Sequence, residues 1–254
     1  MARRSARRPS KPARPSEDLS AGLAQILARN HLLSDAAHRY VTFVEGSSDI
    51  AYINVAASRF AERTGTDLLD AGNGTKLTFF SPARPSSNLV RRGGVEQLKK
   101  LADDLKVFAL QLDAAGPICF LFDHDQAGCD GAREVRKMGY QTDARCVLTL
   151  DPKYHPRACR HARKGGDPVV IEDLLSLDLQ RRFFAQGGSS CDVAYISGDI
   201  SRFSWRHPSK DDLCRFAQAH ASCEDLIEVA RIIWRIRELW RLPVPEEARQ
   251  LLEA

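Results

Sequence analysis

The sequence has no run of about 18 consecutive apolar residues, the length that a helix needs to cross a lipid bilayer. Its most apolar stretch, residues 107–122, is interrupted by Gln111, Asp113 and the pair Gly116-Pro117. The N-terminal arginines are followed by no apolar segment of the kind that secretory signals carry. We therefore expect a cytoplasmic protein with no membrane partner.

The cysteines show no pattern of a metal or redox motif. There are seven, an odd number, and no two of them form a CxxC pair. Since no export signal precedes them, they are predicted to be reduced thiols, several of them in the core.

The basic character of the chain lies mainly in its first sixteen residues. The formal net charge is +4, and residues 1–16 hold six Lys and Arg side chains and no acid, which leaves −2 for residues 17–254. A segment so rich in Pro, Ser and Arg cannot bury a core, so we expect 1–16 to be a disordered basic tail. It could hold phosphates weakly, or it could serve only as a solubilising leader.

Strand-like and helix-like segments alternate over residues 17–150. Strands are predicted at 40–44, at 67–71 or 77–80, at 118–122 and at 146–150, with helices beginning near residues 17, 50, 95 and 128. The run at 118–122 is almost wholly apolar, which is typical of a central parallel strand covered on both faces. This alternation predicts an α/β fold with a mostly parallel sheet flanked by helices.

Residues 151–254 show a different rhythm and are predicted to form a C-terminal extension. Residues 169–175 indicate a strand running into a helix, or a helix start, with two acids in it. A hairpin is expected over 191–207, followed by helices at about 211–220 and 224–239.

Four acidic side chains lie where the predicted strands end. Glu45 follows the strand at 40–44, and Asp123 and Asp125 follow the strand at 118–122. The carboxyl ends of parallel strands face the crevice where ligands bind, and Asp49 begins the helix after Glu45. Carboxylates gathered in this way repel one another unless a divalent cation such as Mg²⁺ joins them.

Each acid also has an ordinary structural interpretation. Glu45 could be a solvated loop acid, and Asp123 or Asp125 could cap the following helix. The joint pattern of strand-Glu-Gly-x-x-Asp and strand-Asp-x-Asp, about 80 residues apart, favours a metal site over these separate explanations.

The two motifs together resemble the signature of the Toprim domain. They are Val44-Glu45-Gly46-x-x-Asp49 and Phe120-Leu121-Phe122-Asp123-His124-Asp125, and the similarity covers roughly residues 40–150. Toprim domains occur in topoisomerases, bacterial primases, recombination mediators and the OLD family of nucleases. The resemblance implies a Toprim-like fold in which Glu45, Asp123 and Asp125 hold one or two Mg²⁺ or Mn²⁺ ions, with Glu45 also acting as general acid or base.

A later segment is similar to OLD-family nucleases in particular. Those proteins carry further acids after the Asp-x-Asp strand and then a lysine, and Glu172, Asp173 and Lys210 resemble them. The resemblance implies that Glu172 and Asp173 complete a second metal, because two metals can clamp the attacking and leaving oxygens. Asp49 is expected to support the site from its position at the start of the helix after Glu45. The resemblance also implies a catalytic Lys210 that neutralises charge on the phosphate. The alternatives are a helix-start acid pair and a solvated lysine.

Between these two regions lies a basic segment, residues 152–166, without an acid. We expect it to bind a nucleic-acid backbone near the metals, through Lys153, Arg157, Arg160, Arg163 and Lys164. A solvated loop is the competing interpretation. Tyr154 could stack on a base, although a single aromatic is a weak indication.

These patterns together predict a metal-dependent endonuclease that hydrolyses phosphodiester bonds, with DNA preferred to RNA. A role in anti-phage defence rests on family analogy alone. OLD proteins fuse Toprim to an ABC-type ATPase, whereas this chain has no Walker A motif, so it acts alone or with a separate ATPase polypeptide. A homo-oligomer, a primase-like nucleotidyl transferase and a non-catalytic module that binds nucleic acid or a partner stay open as alternatives.

Overall fold

The computed structural model describes most of the unit Ala37–Ala254. The described residues are 40–82, 94–107, 117–155, 168–190, 192–196, 199–206 and 208–253. The predicted tail at 1–16 and the predicted helix after it lie outside them. No helix within the described residues is both long and apolar enough to cross a membrane.

A five-stranded, mostly parallel sheet forms the centre of this unit. Its strands are β1 (Tyr40–Phe43), β2 (Asp70–Gly72), β3 (Thr75–Phe80), β4 (Ile118–Phe122) and β5 (Arg145–Thr149). The spatial order is β2-β3-β1-β4-β5, and only the β2–β3 pair is antiparallel. The predicted α/β class with a mostly parallel sheet is therefore confirmed.

Helices pack in two groups around the sheet. They are α1 (Ser47–Thr64), α2 (Val95–Val107), α3 (Gln126–Lys137), α4 (Leu177–Ala185), α5 (Ser209–His220), α6 (Ile227–Leu239) and α7 (Glu246–Glu253). Helix α1 packs against α5 and α6, while α2 packs against α3, which lies on β4 and β5. Helices from 151–254 thus share one hydrophobic cluster with α1 and the sheet.

Strand β4 shows why the sheet is covered on both faces. All five of its residues are buried, and successive side chains point to opposite sides. Cys119 and Leu121 belong to the cluster that contains α1 and α6. Phe120 instead contacts the rings of Phe43 and Tyr140, at centroid distances of 5.3 and 5.0 Å. An uninterrupted apolar run is what a strand between two helical layers requires.

The structure also differs from the sequence-based expectations in several elements. Strands form at both of the alternative positions after α1, because Asn73 and Gly74 adopt positive φ and turn the chain between them. Residues 169–175 form an isolated bridge at Val169 and a short 3-10 helix, Ile171–Leu174, rather than a strand. The predicted hairpin is β6 (Asp192–Ile196) and β7 (Asp199–Ser204). Helix α7 was not predicted.

Candidate functional site

The strand order places the expected ligand-binding crevice at the carboxyl ends of the central strands. From β1 the chain passes to β3 on one side and later returns to β4 on the other side. Strands β1 and β4 are therefore the point where the connections diverge. In open α/β sheets, ligands bind outside the carboxyl ends of such a pair. Glu45 and Asp123 follow these two strands.

Glu45 is fixed across this crevice by the backbone of the neighbouring strand. Its Oε1 accepts a 3.0 Å hydrogen bond from the backbone N–H of Asp123. Its own carbonyl oxygen accepts from the N–H of Gly94, also at 3.0 Å. Burial, and then the nearby charge of Asp125, raise the pKa of the Glu45 carboxyl. The two predicted motifs therefore meet in space.

The Asp-x-Asp turn leads directly into helix α3. Asp125 caps that helix, since its Oδ1 accepts from the N–H of Gly128 at 2.7 Å. A Cβ atom at Gly128 would lie only 2.2 Å from the carbonyl oxygen of Asp123, so no larger residue fits there without a shift of the turn. The helix-cap interpretation of Asp125 is thus correct, and the same turn places Asp123 in the crevice.

Asp49 lies in the first turn of α1 and points back toward the end of β1. Its Oδ2 accepts a 2.8 Å hydrogen bond from the N–H of Gly46. Burial raises the pKa of Asp49 to about 7, and the carboxylates of Glu172 and Glu45 add to this rise. Sequence spacing alone predicted that Asp49 lies beside Glu45. Glu172, which also lies near Asp49, belongs to a distant segment of the chain.

That distant segment is attached to the Asp-x-Asp turn by two backbone hydrogen bonds. The N–H of His124 donates to the carbonyl of Val169 at 2.7 Å, and the N–H of Val169 donates back at 3.1 Å. The 3-10 helix that follows buries Glu172, of which 1% is exposed. The bridge therefore brings a further carboxylate to the site from about 50 residues away in the sequence.

Lys210, in the first turn of α5, brings the positive charge. Its Nζ lies 2.8 Å from Oε2 of Glu172. Although burial disfavours the ammonium, the carboxylates of Glu172, Asp123 and Asp49 raise the pKa of Lys210 above its ordinary value. The predicted lysine and the predicted acid are thus direct partners.

Negative charge exceeds positive charge in this group. Burial raises the pKa of Asp123 well above its usual range, and the repulsion of Asp49, Glu45 and Glu172 raises it further. Lys210 acts in the opposite direction on the pKa of Asp123, Asp49 and Glu45, but a single ammonium does not offset four carboxylates. We call Glu45, Asp49, Asp123, Glu172 and Lys210 the carboxylate cluster.

Asp173 has a different partner. Arg202 on β7 donates to both of its carboxylate oxygens, each at 2.8 Å. Its Oδ2 also accepts from the N–H of Val170 at 3.0 Å. Asp173 is 5% exposed, and these bonds tie the 3-10 helix to the hairpin. In this arrangement its carboxylate orients the segment that carries Glu172.

Tyr52 is a site residue that the sequence analysis did not identify. It lies three residues after Asp49 on α1, is fully buried and has a hydroxyl without a hydrogen-bond partner in the described part of the chain. Burial, and then the charges of Glu172 and Asp49, raise its pKa well above the ordinary value. The position of Tyr52 three residues after Asp49 is the sequence signal that could have identified it, because residues three apart share a helix face.

The cluster is not a preformed metal cage. No group of three or more His, Cys, Asp or Glu side chains is positioned to hold an ion anywhere in the described ranges. Glu45, Asp49 and Asp125 each give one oxygen to a backbone N–H. The chemistry of the cluster nevertheless fits Mg²⁺ or Mn²⁺, because its four acids offer only oxygen ligands and outnumber its one ammonium. In the part of the chain that the structure describes, the buried Oε1 of Glu172 also has no hydrogen-bond partner.

The predicted basic segment is described only at its start. Lys153 lies in a 3-10 helix, Pro152–Tyr154, just after β5, and its ammonium is 3.1 Å from Oδ2 of Asp151. Its side chain is 63% exposed. Arg157, Arg160, Arg163 and Lys164 lie outside the described residues.

Comparison with known proteins adds no relative to this description. No family model, no curated protein and no solved structure matches the chain.

Proposed function

We propose that this protein is a metal-dependent nuclease that hydrolyses phosphodiester bonds in nucleic acid. The observation that carries the proposal is the carboxylate cluster at the ends of β1 and β4, where Glu45 contacts the backbone of Asp123 and Lys210 pairs with Glu172. Excess carboxylate at a ligand-binding crevice, together with one ammonium, suits a divalent cation and a phosphate.

The proposal includes the family resemblance. Strand β1 followed by Glu45 and strand β4 followed by Asp123 are adjacent and parallel, so the two halves of the motif lie side by side, which supports the resemblance to the Toprim signature. The pairing of Lys210 with Glu172 supports the narrower similarity to OLD-family nucleases. The non-catalytic alternative is disfavoured, because every acid of the motif is retained and four carboxylates are drawn together.

Glu45, Asp49, Asp123 and Glu172 are the residues that would hold the ion. Asp125 caps α3 and Asp173 binds Arg202, so we assign these two residues to positioning the ligands. A bound Mg²⁺ or Mn²⁺ would supply Lewis-acid stabilisation of the phosphate and a more acidic water.

The side chains have separate tasks in the proposed hydrolysis. Lys210 keeps its proton, because the carboxylates around it raise its pKa, and its ammonium stabilises the negative charge that grows on the phosphate oxygens. The raised pKa of Glu45 suits a group that takes a proton from water or gives one to the leaving oxygen. The hydrogen bond from Asp123 N–H holds the Glu45 carboxyl in a constant orientation.

The experiment is cleavage of supercoiled plasmid DNA and of a folded RNA in Mg²⁺ or Mn²⁺, without ATP. We expect the wild type to cut DNA faster than RNA and to stop when chelator is added. Asp123→Asn should reduce the rate by at least about 100-fold, which is the usual effect of losing an electrostatic group in the reaction.

Asp130→Asn is the matched control. Asp130 is an acid on the neighbouring helix α3 with a 44% exposed side chain that pairs with Arg133, and its substitution should leave the rate unchanged. Intact plasmid and intact RNA with the wild type in both metals would contradict the proposal that this chain cuts by itself. ATP-dependent cutting would require a separate ABC-type ATPase polypeptide, and adding one is the next experiment in that case.

A further inference from the structure

An exposed aromatic ring lies at the same end of the parallel strands as the carboxylate cluster. The described large hydrophobic side chains that remain exposed are Tyr154, at 42%, and Phe184, at 43%. Tyr154 ends the 3-10 helix that directly follows β5. Strand β5 is the parallel neighbour of β4, and Phe122, which precedes Asp123, is paired with Thr149. Tyr154 therefore lies at the same edge of the sheet as the cluster.

The ring of Tyr154 is supported by a guanidinium group. The Cζ atom of Arg235 on α6 lies 3.5 Å from the ring centroid. Arg235 is itself anchored, because its Nη1 donates to the carbonyl of Thr149 at 3.3 Å. A planar cation stacked beneath an aromatic ring stabilises the ring's orientation. The ring is thus held in one orientation before any ligand arrives.

A second basic side chain lies over the ring. The Nζ of Lys153 is 4.7 Å from the Tyr154 centroid and 3.1 Å from Oδ2 of Asp151. Because Lys153 is 63% exposed and ion pairs at the surface are weak, its ammonium can turn away from the ring toward a phosphate. An aromatic platform with adjacent cations is the combination that proteins use to bind single-stranded nucleic acid.

We propose that Tyr154, stacked on Arg235, is a stacking subsite for one unpaired nucleobase of the substrate, and that this base displaces the exposed Lys153 side chain from over the ring. A base within a duplex is already stacked on its neighbours, so only a base that has left the stack can occupy the ring. The substrate strand is therefore single-stranded or frayed where it crosses the end of β5. The link between this subsite and cleavage rests on the proposed nuclease function.

Equilibrium binding without cleavage tests this inference. The measurement is fluorescence anisotropy with the full chain in chelator, and it compares three probes. They are oligodeoxythymidylate of about 20 nucleotides, an abasic strand and a duplex, all of equal length. This length exceeds the ~4–16 nucleotides that such sites cover. We expect Tyr154→Ala to weaken binding of the thymidylate strand roughly 5- to 100-fold, the range for loss of one stacked base. Binding of the abasic strand and the duplex should not change.

Two further variants isolate the ring itself. Tyr154→Phe keeps the aromatic face and should bind the thymidylate strand as the wild type does. Phe184→Ala removes the other exposed ring, which packs on Phe203 at 5.4 Å, and should also leave binding unchanged. Because Tyr154 is exposed, its truncation should not alter the melting temperature.

Three outcomes would overturn the subsite. Equal binding of the thymidylate and abasic strands by the wild type would show that no base is recognised, and would leave the cleavage proposal as it stands. An equal loss on all probes in Tyr154→Ala would assign Tyr154 to the backbone instead. A wild type that binds none of the probes would overturn the subsite together with nucleic acid as the substrate.

Discussion

Replacing Lys210 with methionine should destabilise the metal-free protein, because it leaves a buried carboxylate without its cation. Glu172 is 1% exposed, its Oε2 is 2.8 Å from the ammonium of Lys210, and its Oε1 has no partner in the described structure. Methionine has nearly the length of the lysine stem and no charge. The substitution therefore removes the ion pair with little change of packing.

The expected size follows from the burial of the two partners. Removing one member of a buried ion pair costs about 3–5 kcal/mol. The Lys210 side chain is 34% exposed, so water replaces part of its interaction, and we reduce the expected loss to about 2–3 kcal/mol. For a chain of this size, that loss corresponds to a melting temperature lower by about 4–12 °C.

Thermal and urea unfolding in chelator measure this loss. Glu172→Gln should cost less than about 1 kcal/mol, because it removes the charge that requires a partner. The double variant Glu172→Gln/Lys210→Met should then be more stable than Lys210→Met alone. Lys99→Met is the matched control, since Lys99 pairs with exposed Glu96 and Glu134 and should cost no more than about 1 kcal/mol.

Metal ions should restore part of the stability of Lys210→Met. A cation bound at 100 times its Kd adds about 2.7 kcal/mol, and the gain should be larger in Lys210→Met, because the cluster there has more uncompensated negative charge. A Lys210→Met chain within about 0.5 kcal/mol of the wild type, or a double variant as unstable as Lys210→Met, would show that the ion pair with Glu172 does not stabilise the fold.

Three other predictions concern pH and neighbouring contacts. Because the pKa of Asp49 is about 7 in the folded chain against an ordinary value of 3.8, the folded chain keeps a proton that the unfolded chain loses. Metal-free stability should therefore fall as pH rises from about 4 to 7, and Asp49→Asn should flatten this dependence in urea titrations at several pH values. Arg202→Ala should cost about 2–4 kcal/mol in urea unfolding, because buried Asp173 keeps only its bond to a backbone N–H; an unchanged midpoint would contradict this. Gly128→Ala should cost at least about 2 kcal/mol in urea unfolding, because its Cβ would lie 2.2 Å from a backbone oxygen, and it should reduce the proposed metal-dependent cleavage; wild-type stability would show that the turn adapts.

Local patterns in the sequence account for the elements that carry the first acids. The apolar run at 118–122 and the β-branched run at 40–44 predicted strands within a residue of β4 and β1. Alternation of strands and helices predicted a parallel sheet, and parallel strands place their carboxyl ends at one edge. The proximity of Glu45 to Asp123 followed from this rule once the two strands were neighbours.

Roles within the predicted acidic set were not evident from the sequence. Glu172 and Asp173 are adjacent and chemically alike, yet Glu172 binds Lys210 while Asp173 binds Arg202. Arg202 lies on the predicted hairpin, which had no assigned part in the site. A one-residue step along a 3-10 helix turns a side chain by about 120°, and which direction faces the cluster depends on the partners that the fold brings there.

Local sequence patterns predicted most of the strands, the helices beside them and the chemistry at the strand ends, because each depends on neighbouring residues and a regular side-chain period. Long-range packing was needed to place β1 between β3 and β4, to pair Val169 with His124 and to bring Lys210 to Glu172. These contacts join segments tens of residues apart. They form because α5 and α6 bury their apolar faces on α1. The free energy of that burial comes from residues throughout the core, so a short segment of the sequence does not predict it.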